Sequence, residues 1–266
     1  MIYKQEQMAS GPQYQNLKQA RARLFARFTN QKDPQLEKFR ALKVQTAFKG
    51  GLRTTAGETE DWRIPFSDTL PDAVFKDTGT AQKLTGSEYS ADLFAESNLT
   101  PLGQELIRLL RRPRATLIDL GCGGEQSQIP KLIAQNIGVD YMGVDTYDGF
   151  VERAIQLPEG NRQTYIKEDI LLFLAQIKKI DAPVFYLSGI ELSSFALLRE
   201  ASQAYADACV EEMRRLGGAV VLGPATNFFD PERHGYQQTA SQQTENRAGL
   251  GNGMDLKHRL YELPTE

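Results

Sequence analysis

The segment Ile118-Asp119-Leu120-Gly121-Cys122-Gly123-Gly124-Glu125-Gln126-Ser127, IDLGCGGEQS, continues the apolar run that begins at Ala115 and places three glycines in four residues. A short apolar run bounded in this way reads as a buried strand. Gln126 to Asn136, with Ile129, Leu132 and Ile133 at helical spacing, reads as the helix that follows it. Glycines at a strand-to-helix turn let the chain reverse sharply and let its backbone approach a ligand with no Cβ in the way. Two familiar glycine loops are excluded. A P-loop needs GxxxxGK[ST], and the lysine is missing; the dinucleotide fingerprint G-x-G-x-x-G starts at Gly121 and Gly123 but lacks its last glycine. What distinguishes this turn is Asp119, an acid at the end of the strand itself.

Outward from this turn the chain alternates strand and helix. Tyr141 to Val144, Thr164 to Ile166, Val184 to Leu187 and Gly218 to Leu222 read as strands, and Gly149 to Leu157, Leu171 to Lys179 and Phe195 to Leu216 as the helices between them. This order implies right-handed βαβ units, hence an α/β fold with a doubly wound, mostly parallel sheet covered on both faces. Ligands in such sheets bind at the carboxyl ends of the strands. Past the fifth strand, RHGYQQTA and KHRLYELP offer two weak strands.

The first third reads differently. Tyr14 to Phe48 suggests two modest helices broken at Pro34. Gly50 to about Gly86 is irregular and rich in Gly, Thr, Asp and Pro, and Ser90 to Leu110 returns to helical spacing interrupted by Pro101. The expected division is therefore 1–96, a helical and irregular region acting as a lid that binds the acceptor, and 97–266, the sheet domain. Residues 1–53 carry eleven Lys/Arg against three Asp/Glu and the remainder 20 against 31, so the basic arm is suited to docking on the acidic core. The aromatics Trp62, Phe66, Phe75 and Tyr89 are candidates to line a cavity beneath it.

Composition removes several classes. No apolar run approaches the roughly 20 residues of a spanning helix, and the N-terminus has no apolar signal core, so the expectation is a soluble cytoplasmic protein with no membrane partner. Two cysteines and two histidines, none clustered, give neither a disulfide framework nor a metal site.

With Asp119 to Gly123 matching the first five positions of DLGCGxG, the sequence resembles the Rossmann-like class I methyltransferases that use S-adenosylmethionine (SAM). The seventh position departs from that pattern, with Glu125 in place of glycine. The resemblance implies that Asp119, Gly121, Cys122 and Gly123 bind the cofactor, with Asp119 near its methionine end. It also implies that Asp145, with Thr146 beside it and 26 residues after Asp119, receives the ribose hydroxyls. Asp169 would meet the adenine amino group with Ile170 against the ring, and Ser188 would border the methionine end. A carboxylate suits a vicinal diol because it accepts two hydrogen bonds at once. Asp145 and Asp169 each also have a plain alternative as the N-cap or first-turn acid of the next helix, and Cys122 as a small loop residue. The implied reaction is in-line methyl transfer to a small molecule or a protein side chain, with Glu191 and His234 as candidate bases; His234 has the alternative of a surface histidine. The absence of [DN]PP[YF] after the fourth strand and the acidic core argue against a nucleic-acid acceptor. A non-catalytic interaction module on the same fold is the competing class. Oligomeric state is not legible.

Overall fold

The computed structural model describes residues 70, 72–76, 94–122, 128–145, 163–190, 199–224, 226–244 and 257–264. Each expected strand is present within a residue or two: β1 (Thr116–Leu120), β2 (Asp140–Asp145), β3 (Gln163–Lys167), β4 (Pro183–Leu187) and β5 (Ala219–Leu222). Between and before them lie α1 (Pro101–Leu110), α2 (Gln128–Ile137), α3 (Ile170–Gln176) and α4 (Arg199–Leu216). The two weak strands are β6 (Gln237–Gln243) and β7 (Lys257–Glu262). The helix expected over 149–157 and the two expected over 14–48 lie outside the described residues, as do Trp62, Phe66 and Tyr89.

The seven strands form one sheet in the order β3-β2-β1-β4-β5-β7-β6. β1 to β5 pair in parallel, and β7 returns antiparallel between β5 and β6. Strand order reverses between β1 and β4, so the carboxyl ends of these two strands flank the ligand crevice of such a sheet. Side chains alternate between two cores. Ile118, Leu120, Val144, Phe185, Leu187, Val220 and Leu222 face α3 and α4, whereas Leu117, Tyr141, Val184, Tyr186, Val221 and Leu260 face α1 and α2. The central strands are buried on both faces, which explains their near-continuous apolar sequence.

Pro101 does not interrupt a helix. It begins one, at the first helical position of α1, after Thr100, whose Oγ1 accepts the Gly103 N–H at 3.0 Å. Residues 70–76 then join the same core: Leu70, Ala73, Val74 and Phe75 are buried beside Leu99, Leu102 and Leu106, and Phe75 pairs as an isolated bridge with Leu99. Phe75, expected as a cavity aromatic, is instead 2% exposed in this core. No helix among the described residues is long and apolar enough to cross a membrane.

Candidate functional site

β1 ends in a turn whose geometry favours glycine. Gly121 has φ +77°, in the left-handed region, and a β-carbon there would lie 3.1 Å from Ile190 Cγ1. The Gly121 and Cys122 N–H groups both donate to Val144 O, at 2.8 and 3.1 Å, which ties the start of this loop to the end of β2. Gly123, at the loop's centre, lies outside the described residues.

Asp119 is 2% exposed on the face shared with Tyr141 and Tyr186. The Tyr141 hydroxyl donates to Asp119 Oδ2 at 2.8 Å. Burial raises the Asp119 carboxyl from 3.8 to about 7; the Tyr141 hydrogen bond opposes the rise, and the nearby Asp145 carboxylate adds to it. Burial also pushes the Tyr141 phenol up, with Asp119 adding to the shift. Asp145 closes β2, one strand over, and its carbonyl accepts the Glu168 N–H at 3.0 Å. Asp119 and Asp145 therefore stand at adjacent strand ends on either side of the glycine turn. Thr146 lies outside the described residues.

Cys122 is buried, its thiol pushed well up by burial and then by Asp119 and Asp145. A nucleophile needs the opposite shift. Asp169 is the N-cap of α3: Oδ1 accepts from Leu171 N and Leu172 N at 3.1 and 3.3 Å, and the buried Tyr205 hydroxyl donates to Oδ2 at 3.1 Å. That is the capping alternative, and Ile170 beside it belongs to the core. Asp169→Ala is expected to lower stability by about 1 to 2 kcal/mol through loss of the cap. Urea denaturation measures it, and an unchanged midpoint would show that α3 does not depend on this cap.

Ser188 follows β4 directly, and its Oγ is buried. Glu191, the other candidate base, lies outside the described residues. His234 is not brought to this site. It sits in a 3-10 turn (Glu232–His234) against α4, with Nε2 3.2 Å from Asp207 Oδ1. Three residues later the chain enters β6 opposite Glu262, at the edge of the sheet where β5 begins. The crevice is at the other edge, and the His234 side chain is largely buried against Asp207, away from it.

Three residues of this region, Tyr141, Tyr186 and His258, were not anticipated. Tyr141, Gly143 and Asp145 alternate onto one face of β2, a pattern present in the sequence; Tyr186 pairs with Asp119 across β1 and β4. His258 is fully buried on β7 and comes into register only because β7 inserts beside β5.

No family model matches the sequence, and no curated protein matches it. Solved structures similar to this chain include the bifunctional kinase-methyltransferase WbdD, 15% identical over 60% of this chain, with a TM-score of 0.44. The match spans 37% of that longer protein. A SAM-dependent methyltransferase from Anabaena variabilis is 15% identical over 74% of this chain and 95% of its own, with a TM-score of 0.43. A putative S-adenosylmethionine dependent methyltransferase from Listeria monocytogenes is 13% identical over 61% and 97%, with a TM-score of 0.39. The fold is class I methyltransferase-like: five parallel strands with the switch point between β1 and β4, and an antiparallel β7 between β5 and β6.

Proposed function

We propose that this protein binds SAM over the carboxyl ends of β1 and β2 and transfers its methyl group to a small molecule or a protein side chain. One observation carries the reading. Two carboxylates, Asp119 and Asp145, stand at adjacent strand ends around a turn whose left-handed backbone at position 121 favours glycine. Such a set suits a ligand rich in donors and positive charge. Asp145 accepts from the ribose diol, and the buried Asp119 offers a carboxylate to the ammonium of the methionine end, where an opposite charge offsets its burial. Gly121 supplies close backbone approach. Asp169 contributes by fixing the start of α3. When bound, SAM supplies an activated methyl on a sulfonium; the chain's task is to align the acceptor and exclude water.

Calorimetric titration of S-adenosylhomocysteine (SAH), the demethylated product, into the full chain is the direct test. Micromolar binding is expected, and Asp145→Ala is expected to weaken it roughly 30-fold, about 2 kcal/mol, through loss of charge-assisted hydrogen bonds. Equal affinity in the variant would remove Asp145 from the site. Absence of binding by the unaltered chain would favour the interaction-module reading. Label transfer from SAM to a metabolite or lysate fraction then identifies the acceptor.

A further inference from the structure

At the edge of the sheet opposite the crevice, the last turns of α4 and the 3-10 turn after β5 border an open cleft of about 520 Å³, lined by Glu211, Arg214, Arg215, Arg233 and His234. Its cations are not engaged alike. Arg215 is structural: Nε meets Glu212 at 2.6 Å, and Nη2 donates to Leu174 O and Ile177 O, at the end of α3, at 2.9 and 2.8 Å. His234 is held by Asp207 Oδ1 at 3.2 Å, an oxygen that also accepts from Gln203 at 3.0 Å. Arg233 Nη1 stands 3.7 Å from the same oxygen, an ion pair too long to be a hydrogen bond.

Arg214 is placed differently. Its Nε, Cζ and Nη2 lie 4.0, 3.8 and 3.8 Å from the point that a β-carbon on Gly235 would occupy. Three atoms of one planar group at nearly equal distance from a point mean that the guanidinium turns its face to Gly235. Its N–H groups, which lie in the plane, are therefore aimed past the glycine. Among the described residues neither the Arg214 nor the Arg233 guanidinium completes a hydrogen bond. The neighbouring Tyr236 hydroxyl is buried and without a partner, close enough to Arg214 for that charge to oppose the rise that burial imposes on the phenol. Around Arg214 the chain thus supplies donors without matching acceptors, which native structures seldom leave unmet. A cation in the last turn of a helix can serve the helix dipole alone. Here the ending carbonyls are met by the backbone, Arg214 O by the Gly217 N–H at 2.9 Å and Met213 O by the Gly218 N–H at 3.4 Å, and the Arg214 side chain crosses to Gly235 instead.

We propose that this cleft is a binding site for a phosphate-type oxyanion, held by the in-plane N–H groups of Arg214 and by Arg233, with His234, fixed by Asp207, as part of its wall. A guanidinium offers paired donors whose spacing matches two oxygens of a phosphate. An anion also relieves the repulsion between two guanidiniums that share one cleft. Glu211, the lining carboxylate, works against it and keeps the affinity modest. The site draws on no residue of the crevice and does not depend on the SAM reading.

Calorimetric titration of inorganic phosphate and of tripolyphosphate into the full chain, in Tris buffer at constant ionic strength, tests the proposal. Saturable binding of one equivalent is expected. Tighter binding of tripolyphosphate indicates a phosphate carried on a larger molecule, and equal affinities indicate the free ion. Arg214→Gln should weaken binding about tenfold and Arg233→Gln about fivefold, whereas Glu211→Gln should strengthen it about threefold. Arg214→Lys, which keeps the charge but not the paired donors, should stay within about twofold of Arg214→Gln. Full affinity in Arg214→Lys would show a diffuse charge effect and overturn the site, as would absence of saturable binding or an unchanged affinity in Arg214→Gln. If Arg214→Gln also lowers the thermal midpoint, the opposite changes expected of Arg233→Gln and Glu211→Gln decide, and equal affinities in those two would overturn the proposal.

Discussion

Gly103→Ala is expected to destabilise the protein by about 4 kcal/mol or more, although helix propensity alone favours alanine over glycine in a helix by about 1 kcal/mol. The two effects oppose each other, and the contact distance decides between them. A β-carbon on Gly103 would stand 2.0 Å from Val74 O and 2.8 Å from Val74 C, both backbone atoms that cannot rotate away. Either α1 or the segment 72–76 must move. Thr100 anchors that segment, its N–H donating to Val74 O at 2.9 Å and its Oγ1 to the Ala73 carbonyl. Displacement removes Val74 and Phe75 from a core in which they are 0% and 2% exposed, and burying a side chain of this kind stabilises by about 1.5 to 3 kcal/mol. Gly138→Ala is the control, because Gly138 has φ +79° but nothing within 4 Å of a β-carbon. Backbone strain alone there should cost about 1 kcal/mol. Equal shifts of the two urea midpoints would show that residues 72–76 are not packed on α1 as described.

That contact also marks where sequence reading stopped. Strands β1, β4 and β5 were legible because parallel strands buried on both faces are short apolar runs between helical patterns, and the edge strand β3 because it sits between two helix-like stretches. Pro101 was read as an interruption since a proline within apolar helical spacing carries two meanings; Thr100 before it, a capping residue, was the signal for a start. Phe75 was assigned to a cavity from its surroundings in an irregular stretch, whereas its place is set by a pairing with Leu99, 24 residues away, that no local pattern encodes. Asp119 was singled out by the glycine turn that follows it, and Asp145 by the family resemblance at the end of the next strand. Asp169 illustrates the opposite case: an acid before a helix satisfies the capping and the ligand pattern alike, and only Leu171 N, Leu172 N and Tyr205 separate them. His234 was chosen for following β5 in sequence, but the chain turns away along α4 before it reaches β6. His258 was passed over because β7 carries a weak strand pattern, and its neighbours follow from an antiparallel insertion that sequence order conceals.

Asp119→Asn is expected to stabilise the chain at pH 8, by about 4 kcal/mol, and by far less at pH 5. The carboxyl is raised by burial from 3.8 to about 7, and each tenfold change in proton affinity corresponds to about 1.36 kcal/mol. Below pH 3.8 the group is protonated whether the chain is folded or not, and it contributes no difference. Between 3.8 and 7 the folded chain holds a proton that the unfolded chain has released, so stability falls as pH rises through this window. Above 7 the full cost of a buried anion is present. Asparagine carries no charge to bury and keeps an oxygen for the Tyr141 hydroxyl. Urea denaturation of both proteins at pH 5 and pH 8 reads the effect as a difference of differences, in which groups common to both proteins cancel. A gain independent of pH would mean that Asp119 is ionised throughout. The same linkage gives this unfavourable burial a use on the proposed reading. An ammonium placed beside Asp119 favours its ionised form, so binding of SAM or SAH below pH 7 should release a proton and strengthen as pH rises from 5 to 8. In Asp119→Asn that pH dependence should be lost, because the cost of folding around the buried acid and the gain on binding a cation reside in the same carboxylate.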